Sequence, residues 1–197
     1  MWPPRRTIVL VLHTPRLLMR SLAMSDLEDL HRLHSDPLVM QSLFSGEPPT
    51  RQDTQERMEQ YLQAWRQNGF GFFGVFLKGP SQKQAQFVGR AGLRIFEETS
   101  DVEYGVCLCG HVAGRGIGPE LGAAILRHAF KELALERVVA LIRPDNERAI
   151  RAAEKIGFRH LEDRHYGDRV KGFYEVRPSR YGITRQRRRS NRHTRDA

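Results

Sequence analysis

No hydrophobic run near the start of this sequence is long enough to cross a membrane, since the longest covers only residues 8–12 and a transmembrane helix needs about 20. That run is also too short for a signal-peptide core, and no cleavage signature follows it. The 197 residues, of which 40% are hydrophobic and 28% charged, are typical of one globular domain with a sizeable core. We therefore expect a cytoplasmic protein without a membrane partner.

Cysteine is scarce, with only Cys107 and Cys109 in the chain. Two residues apart on a strand, these side chains lie on the same face and are poorly placed to form a disulfide. A single C-x-C pair without a second pair is a weak zinc motif, and the histidines are scattered along the chain. We predict free thiols that pack as small apolar groups, and no metal site.

Acidic residues are outnumbered, 23 against 32 lysines and arginines, and much of the basic excess lies at the end of the chain. Residues 185–197 contain six arginines and one aspartate, so this segment carries five of the nine net positive charges. Almost no apolar residue could anchor it, which predicts a disordered basic tail. Such a tail either makes weak contact with a polyanion through counterion release or is simply solvated.

Apolar spacing and turn residues divide the rest of the chain into strands and four helices, without an internal repeat or linker. The spacing of Ser25 and Glu28, and of Thr50 and Asp53, is typical of two helix starts, and Gly69 is placed to end the second helix. Before them, residues 1–15 are expected to be a loose start. The predicted helices are 25–35, 50–68, 119–132 and 146–156, and the predicted strands are 16–20, 70–77, 86–96, 101–109, 138–142, 158–161 and 172–176, with an antiparallel hairpin at 86–109.

Four glycines fall within residues 110–118, between a predicted strand and a predicted helix. A helix start leaves about four main-chain N–H groups without partners and carries a partial positive charge. Glycines let the main chain approach an anion without a Cβ clash, so phosphate binding is natural at such a turn. Because Pro119 has no N–H, any donors must come from the residues before it.

Standard nucleotide-binding patterns do not fit this loop. The dinucleotide pattern G-x-G-x-x-G fails at its third glycine, where this chain has Pro119, and the pattern G-x-x-x-x-G-K-[ST] is absent. The glycines alone therefore indicate an anion site without specifying its ligand, and a glycine-rich turn that binds nothing is the alternative interpretation.

Two separated segments resemble the GNAT superfamily of acetyl-CoA-dependent N-acetyltransferases. The first runs from the strand at 102–108 into Gly-Arg-Gly-Ile-Gly-Pro-Glu-Leu at 114–121, and the second begins with Arg-Pro-Asp-Asn at 143–146. The opening Thr-Pro-Arg-Leu-Leu-Met-Arg at 14–20 is similar to the RimJ/RimL-type branch. The resemblance implies a fold of class α/β (α+β), a single domain with a GNAT-type mixed, mostly antiparallel central sheet flanked by helices. It divides the chain into an N-terminal extension at 1–13, an acetyltransferase domain at 14–184 and the basic disordered tail at 185–197.

The resemblance also implies a site for acetyl-CoA, the acetyl donor. The family's pyrophosphate loop, [QR]-x-x-G-x-[GA], matches residues 111–116, with His111 as a departure at the first position. The loop amides would bind the pyrophosphate, the preceding strand would splay from its neighbour and pair with the pantetheine arm, and Asn146 would lie near that arm as well as capping a helix. The implied acetyl-CoA-binding residues are Val106, Cys107, Leu108, His111, Gly114, Arg115, Gly116, Ile117, Gly118 and Asn146.

Acetyl transfer to an amine needs a base, donors for the oxyanion, and in some enzymes a proton for the thiolate. By the resemblance, the base lies on the strand before the glycine loop, which indicates Glu103; a surface or salt-bridged glutamate is the alternative. The tyrosine that many members carry before the Gly-Phe pair is Ala153 here, and the serine of some RimL-like members is Ala149. The candidate acids are therefore Tyr174, Tyr166 or water.

The acceptor is expected beside the first two helices and the hairpin. An acidic group around the hairpin, formed by Glu97, Glu98, Asp101 and Glu103, would either attract a cationic amine or be a solvated turn. We predict an acyltransferase that moves acetyl from acetyl-CoA to a primary amine, either a protein N-terminus or a small molecule, and a homodimer is one option for its assembly. The alternatives are a nucleic-acid or ribosome-associated binding protein that acts through the arginine tail, and a CoA-binding fold without catalysis.

Overall fold

The computed structural model of this chain describes residues 10–43, 47–80, 84–96, 101–166 and 169–183. They form an eight-stranded sheet in the order β1-β2-β3-β4-β5-β6-β8-β7, with helices on both faces. The elements, in chain order, are β1 (Val11–His13), β2 (Leu17–Ser21), α1 (Leu27–His34), α2 (Pro37–Leu43), α3 (Arg51–Asn68), β3 (Phe72–Leu77), β4 (Gln86–Phe96), β5 (Asp101–Leu108), α4 (Ile117–Lys131), β6 (Val138–Ile142), α5 (Glu147–Lys155), β7 (Arg159–Tyr166) and β8 (Arg169–Val176).

Neighbouring strands run antiparallel throughout the sheet except at the centre, where β5 and β6 are parallel. The α4 helix connects these two central strands, because parallel neighbours need a crossover connection. The predicted mixed, mostly antiparallel sheet flanked by helices is confirmed, as is the antiparallel pairing of β4 with β5. Among the described residues, no helix combines the length and the apolar character needed to span a bilayer.

The sheet separates two apolar layers. On one face, Leu121 and Ile125 of α4 are fully buried in a cluster that includes Tyr104 of β5. On the other face, Leu30 of α1 and Met58 of α3 are fully buried in a second cluster. Burial of each such side chain stabilises the fold by about 1.5–3 kcal/mol. We refer below to these two sides of the sheet as the α4/α5 face and the α1/α3 face.

The predicted start and end of α3 are confirmed. The Thr50 hydroxyl accepts a hydrogen bond from the Asp53 N–H at 3.1 Å, and the Asp53 carboxylate accepts from the Thr50 N–H at 2.8 Å. The helix ends at Gly69, whose φ of 74° lies in the left-handed region that glycine adopts without strain. Local sequence signals were sufficient here because both caps bond only to near neighbours in the chain.

The predicted start of the first helix at Ser25 and Glu28 is wrong. A short 3₁₀ turn at Met24–Asp26 precedes α1, and the Asp26 carboxylate accepts from the Ala23 N–H at 2.9 Å. The same buried carboxylate forms an ion pair with Arg20 of β2 at 2.6 Å. Glu28 instead forms an ion pair with α3.

The loose start predicted for residues 1–15 is corrected in part, because residues 11–13 form the edge strand β1 on β2. The sheet thus begins before position 14, where the predicted domain starts. The predicted basic tail at 185–197 lies outside the described residues, and so do Glu97 and Glu98 of the predicted acidic group.

Candidate active site

A gap opens in the middle of the sheet between the parallel strands β5 and β6. Within the described residues these strands share one register pair, Glu103 with Val139, whereas β5 pairs with β4 along its full length. The main-chain groups of residues 104–108 that face β6 therefore have no strand partner there. Val106 is 42% exposed although it lies within a strand, so an apolar side chain remains uncovered beside the gap.

The glycine-rich loop lies at the end of β5 where the gap is open. Gly114 and Gly116 have φ values of 74° and 73°, which other residues rarely adopt, and the loop is exposed. A Cβ at Gly114 or Gly118 would meet no atom within 4 Å, so there is free space in front of both. Because α4 begins at Ile117, the N–H groups of its first turn have no intrahelical acceptor. The helix dipole adds partial positive charge at the same point.

Arg16, near the start of the domain, and Glu120 of α4 form a polar contact with this loop that we call the clamp. Arg16 donates to the carbonyl oxygen of Arg115 at 2.8 Å and to the Glu120 carboxylate at 2.6 Å. A Cβ on Gly116 would lie 3.5 Å from an Arg16 guanidinium nitrogen, so the guanidinium is beside the loop. Partial burial opposes ionisation of Glu120, but hydrogen bonds from Thr14 and Arg16 lower its pKa. No sequence signal predicted this clamp, although the opening motif contains both Thr14 and Arg16.

Asn146 follows β6 at the carboxyl end of that strand. Its side-chain oxygen accepts from the Ala149 N–H at 3.1 Å, which confirms the predicted cap of α5. His111 lies in a short 3₁₀ turn after β5 with its side chain exposed. Leu108 packs against the α4/α5 layer. The roles predicted for these three residues in binding acetyl-CoA stay predictions.

Both cysteines are free thiols. Cys107 packs in the α1/α3 layer, and burial raises the pKa of its thiol to about 11. Burial also raises the pKa of Cys109. A raised pKa favours the protonated thiol, which is the less nucleophilic form. In the described part of the chain, no group of three or more His, Cys, Asp or Glu side chains is arranged to hold a metal ion.

Glu103 lies at the position where β5 and β6 separate. Its side chain is on the α1/α3 face, only 6% of the residue is exposed, and the Arg94 side chain on β4 donates to it at 2.8 Å. Burial raises the pKa of this carboxyl, and the nearby charge and hydrogen bond of Arg94 oppose that rise. A buried glutamate with a raised pKa is suited to general-base chemistry near neutral pH.

The structure does not bring Tyr174 together with Glu103. Tyr174 is directly opposite Ala140 in the β6–β8 pairing and is buried in the α4/α5 layer, because the register of β8 directs it away from the Glu103 side. Its ring packs against His160 at 5.1 Å between centroids, and burial raises its pKa. Tyr166, the other candidate acid, packs against Phe96. Phe96 belongs to a third, small apolar cluster on the α1/α3 face, with Val139 and Phe173.

The predicted acidic group does not form an open acidic surface among the described residues. Asp101 is bound by Arg137 at 2.7 and 2.8 Å, and Glu103 is bound by Arg94, so arginine neutralises both carboxylates. The positive charges of Arg94, Lys171 and Arg90 all act on Glu103. Among the described residues, the surroundings of Glu103 are therefore basic, which argues against the interpretation that Asp101 and Glu103 attract a cationic amine.

Comparisons with known proteins identify the family and the fold of this chain. Residues 16–159 match the family model described as an acetyltransferase (GNAT) domain. The Bacillus subtilis protein YkkB is 32% identical over 131 residues, which cover 65% of this chain and 72% of YkkB. A GNAT-family acetyltransferase from Bacillus anthracis has a similar crystal structure, with a TM-score of 0.73 and 25% identity over 86% of this chain and 99% of that chain.

A second solved structure is similar in fold at lower identity. Spermidine N-acetyltransferase from Vibrio cholerae, crystallised with CoA and spermine, has a TM-score of 0.70 and 19% identity. The similarity covers 86% of this chain and 100% of the Vibrio chain. At this level of identity the comparison shows a shared fold.

Proposed function

The chain belongs to the GNAT acetyltransferase family, and we propose that it transfers the acetyl group of acetyl-CoA to a primary amine bound on the α1/α3 face beside Glu103. Family membership makes the chain an acyltransferase with acetyl-CoA as its donor. The proposal concerns which residues hold the donor, which side chain removes the proton, and which kind of amine is acetylated.

The observation that carries the proposal is that the gap and the exposed glycine loop open at the same end of β5. Amides at residues 114–118 and the first turn of α4 would bind the diphosphate of acetyl-CoA. The amide-bearing pantetheine arm would occupy the gap and pair with the main chain of residues 104–108, with Val106 against its apolar part. This path leads the thioester towards Glu103.

In the reaction, Glu103 would remove a proton from the acceptor ammonium, directly or through a water molecule. The free amine then attacks the thioester carbonyl carbon, and main-chain N–H groups of β5 that face the gap would stabilise the oxyanion. The attacking nitrogen, cationic after the addition, gives its second proton to water. When the tetrahedral intermediate collapses, the C–S bond breaks and CoA leaves as a thiolate that takes up a proton. Holding both reactants in one orientation contributes several kcal/mol to the rate by proximity.

The proton for the thiolate would come from water or from Tyr166, which lies on the same face as Glu103. Tyr174 could donate only from the opposite side of the sheet. Two acceptor classes belong to the proposal. The first is a protein N-terminal amine, as the resemblance to the RimJ/RimL-type branch implies, and the second is a small-molecule amine.

Two measurements test the proposal. Calorimetric titration of the full chain with acetyl-CoA should give saturable heat, and a thiol-release assay over a panel of amines and peptides should identify an acceptor. Absence of heat with CoA and acetyl-CoA at millimolar concentration would contradict the donor site, and absence of thiol release with every amine would contradict the enzymatic role.

A matched pair of variants tests the base. Glu103→Gln should lower thiol release by about 10²-fold or more while acetyl-CoA heat is retained, since general-base catalysis contributes 10²–10⁴-fold. Asp101→Asn is the control, because it also removes an arginine-paired carboxylate from β5 but at the end away from the gap. Equal activity of the two variants would argue against Glu103 as the base.

A further inference from the structure

The buried charges of the described residues are not balanced. Three charged side chains are almost fully buried: Asp26, Glu103 and Arg90. The two carboxylates have arginine partners of their own, since Asp26 is bound by Arg20 and Glu103 by Arg94. Arg90 is therefore the buried charge for which the described part of the chain supplies no counter-charge.

Arg90 packs against a pair of aromatic rings whose centroids are 4.9 Å apart. Its guanidinium carbon lies 4.5 Å from the ring centroid of Phe72 and 5.2 Å from that of Tyr61, and 5% of the residue is exposed. Its Nε has no hydrogen-bond acceptor, and no described residue forms an ion pair with it. Ring faces attract a cation, but they do not accept the in-plane N–H bonds of a guanidinium, which has five donors. An unpaired buried charge is costly, so a ligand that pairs with it gains the corresponding stabilisation.

The strand register places Arg90 on the same face as the proposed base. Arg90 is opposite Cys107 and Arg94 is opposite Glu103 in the β4–β5 pairing, so all four side chains are on the α1/α3 face. A glycine pair separates the two positions, and the ring of Phe72 rests against Gly105 of that pair, 3.0 Å from where its Cβ would be. Glycine at this point lets the ring support the guanidinium.

The charge around this face selects between acceptor classes. Arg94 is already paired with Glu103, and Arg137 binds the neighbouring carboxylates Asp101 and Glu175. Arg90 and Lys171 therefore add positive charge near the base. A polycationic amine would be repelled there, whereas an anionic group would pair with Arg90. Arginine binds planar carboxylates and phosphates with two parallel N–H bonds.

Resting on the function proposed above, we propose that the acceptor is an amine that also carries an anionic group, a carboxylate or a phosphate, and that Arg90 binds this group. The amine is then directed towards Glu103 along the same face of the sheet.

The test compares matched amines in the thiol-release assay with the full-length protein. β-Alanine is compared with β-alaninamide, and O-phosphoethanolamine with ethanolamine, each rate being corrected for the free-base fraction of its amine. The wild-type protein should prefer the anionic member of at least one pair by about tenfold or more in kcat/KM, the effect of one charge-assisted hydrogen-bond pair. The pair that shows the preference identifies carboxylate or phosphate as the anion.

Variants then connect the preference to Arg90. Arg90→Gln should reduce the anionic-to-neutral ratio of kcat/KM by more than about threefold, and Arg90→Lys should restore part of that ratio. If Arg90→Gln does not fold, inorganic phosphate provides the same test as an inhibitor of the wild-type protein and of Arg90→Lys. Phosphate should compete with the amine, and it should inhibit Arg90→Lys more weakly than the wild-type protein.

The outcomes separate this inference from the proposed function. If anionic and neutral amines are acetylated at corrected rates within about threefold, or if Arg90→Gln changes the ratio by less than that, the anion site is refuted and the acetyltransferase function stands. If no amine of any kind is acetylated, the proposed function fails and this inference fails with it.

Discussion

A negative charge introduced at Gly118 should weaken acetyl-CoA binding without destabilising the folded protein. Gly118 is the second residue of α4, and a side chain there would enter free space in front of the loop. Its backbone is not in the left-handed region, so a substitution brings no strain. Gly118→Asp therefore adds a charge beside the proposed diphosphate position, and Gly118→Asn adds a side chain of the same shape without the charge.

Gly118→Asp should raise the stability of the free protein and lower its affinity for acetyl-CoA. An acidic side chain in the first turn of a helix stabilises the free protein by about 0.3–1 kcal/mol through the helix dipole. Two negative charges about 5 Å apart repel by about 0.8 kcal/mol in water and about 3 kcal/mol at an effective dielectric constant of 20. Since the diphosphate carries two charges, the repulsion should weaken acetyl-CoA binding by at least about tenfold relative to Gly118→Asn.

The assay is calorimetric titration with acetyl-CoA at low and high ionic strength, together with thermal unfolding of both variants without ligand. The affinity difference between the variants should shrink at about 1 M salt, where the Debye length falls to about 3 Å. The Asp variant should melt at the same temperature as the Asn variant or higher. Equal affinity of the two variants at low salt, with both folded, would refute the placement of the diphosphate at this loop.

Three further predictions concern proton binding and the loop clamp. The rate of the wild-type protein should fall as pH drops through the raised pKa of Glu103, because protonation removes the base, and Glu103→Gln should lack this acidic limb in a pH–rate profile. His34 is fully buried, and burial together with the charges of Arg90 and Arg57 lowers its pKa to about 3. As pH falls below 6.5, His34 takes up a proton in the unfolded chain but stays neutral in the folded chain, so its contribution to stability is lost. Denaturant unfolding should therefore show about 2 kcal/mol less stability at pH 5 than at pH 7. His34→Phe should reduce this difference. Glu120→Gln should weaken acetyl-CoA binding by roughly three- to tenfold by releasing Arg16 from the loop, with a loss of only about 0.5–1 kcal/mol in unfolding free energy, and unchanged affinity would show that the clamp does not position the loop.

Much of the fold was predictable because its determinants are local. The strands at 86–96 and 138–142 have the predicted bounds, since each is a short apolar run with turn residues at its ends. The cap at Asn146 and the end of α3 at Gly69 depend on bonds between residues four or fewer positions apart. At the start of α1 the local signal at Ser25 and Glu28 was misleading, because Asp26 caps the preceding turn at Ala23 instead.

The candidate site was predictable in part for the same reason. The loop that carries Gly114 and Gly116 is one continuous segment, and its glycines are required by the positive φ angles that the structure has there. Placing a candidate base on β5 needed only the order of the strand and the loop. Whether Glu103 faced an acidic or a basic environment was beyond local reasoning, because its partners come from β4 and β8.

The sequence by itself determined most of the elements, their order and the glycine turn before α4, since these follow from periodicity and from residues that bond to near neighbours. It did not predict β1 or α2. Only the tertiary structure decided that Tyr174 and Glu103 lie on opposite faces, that Arg16 reaches a loop about a hundred positions away, and that Arg90 packs against rings from α3 and β3. These contacts depend on strand register and on the crossover through α4, which bring together residues whose separation along the chain leaves no periodic signal.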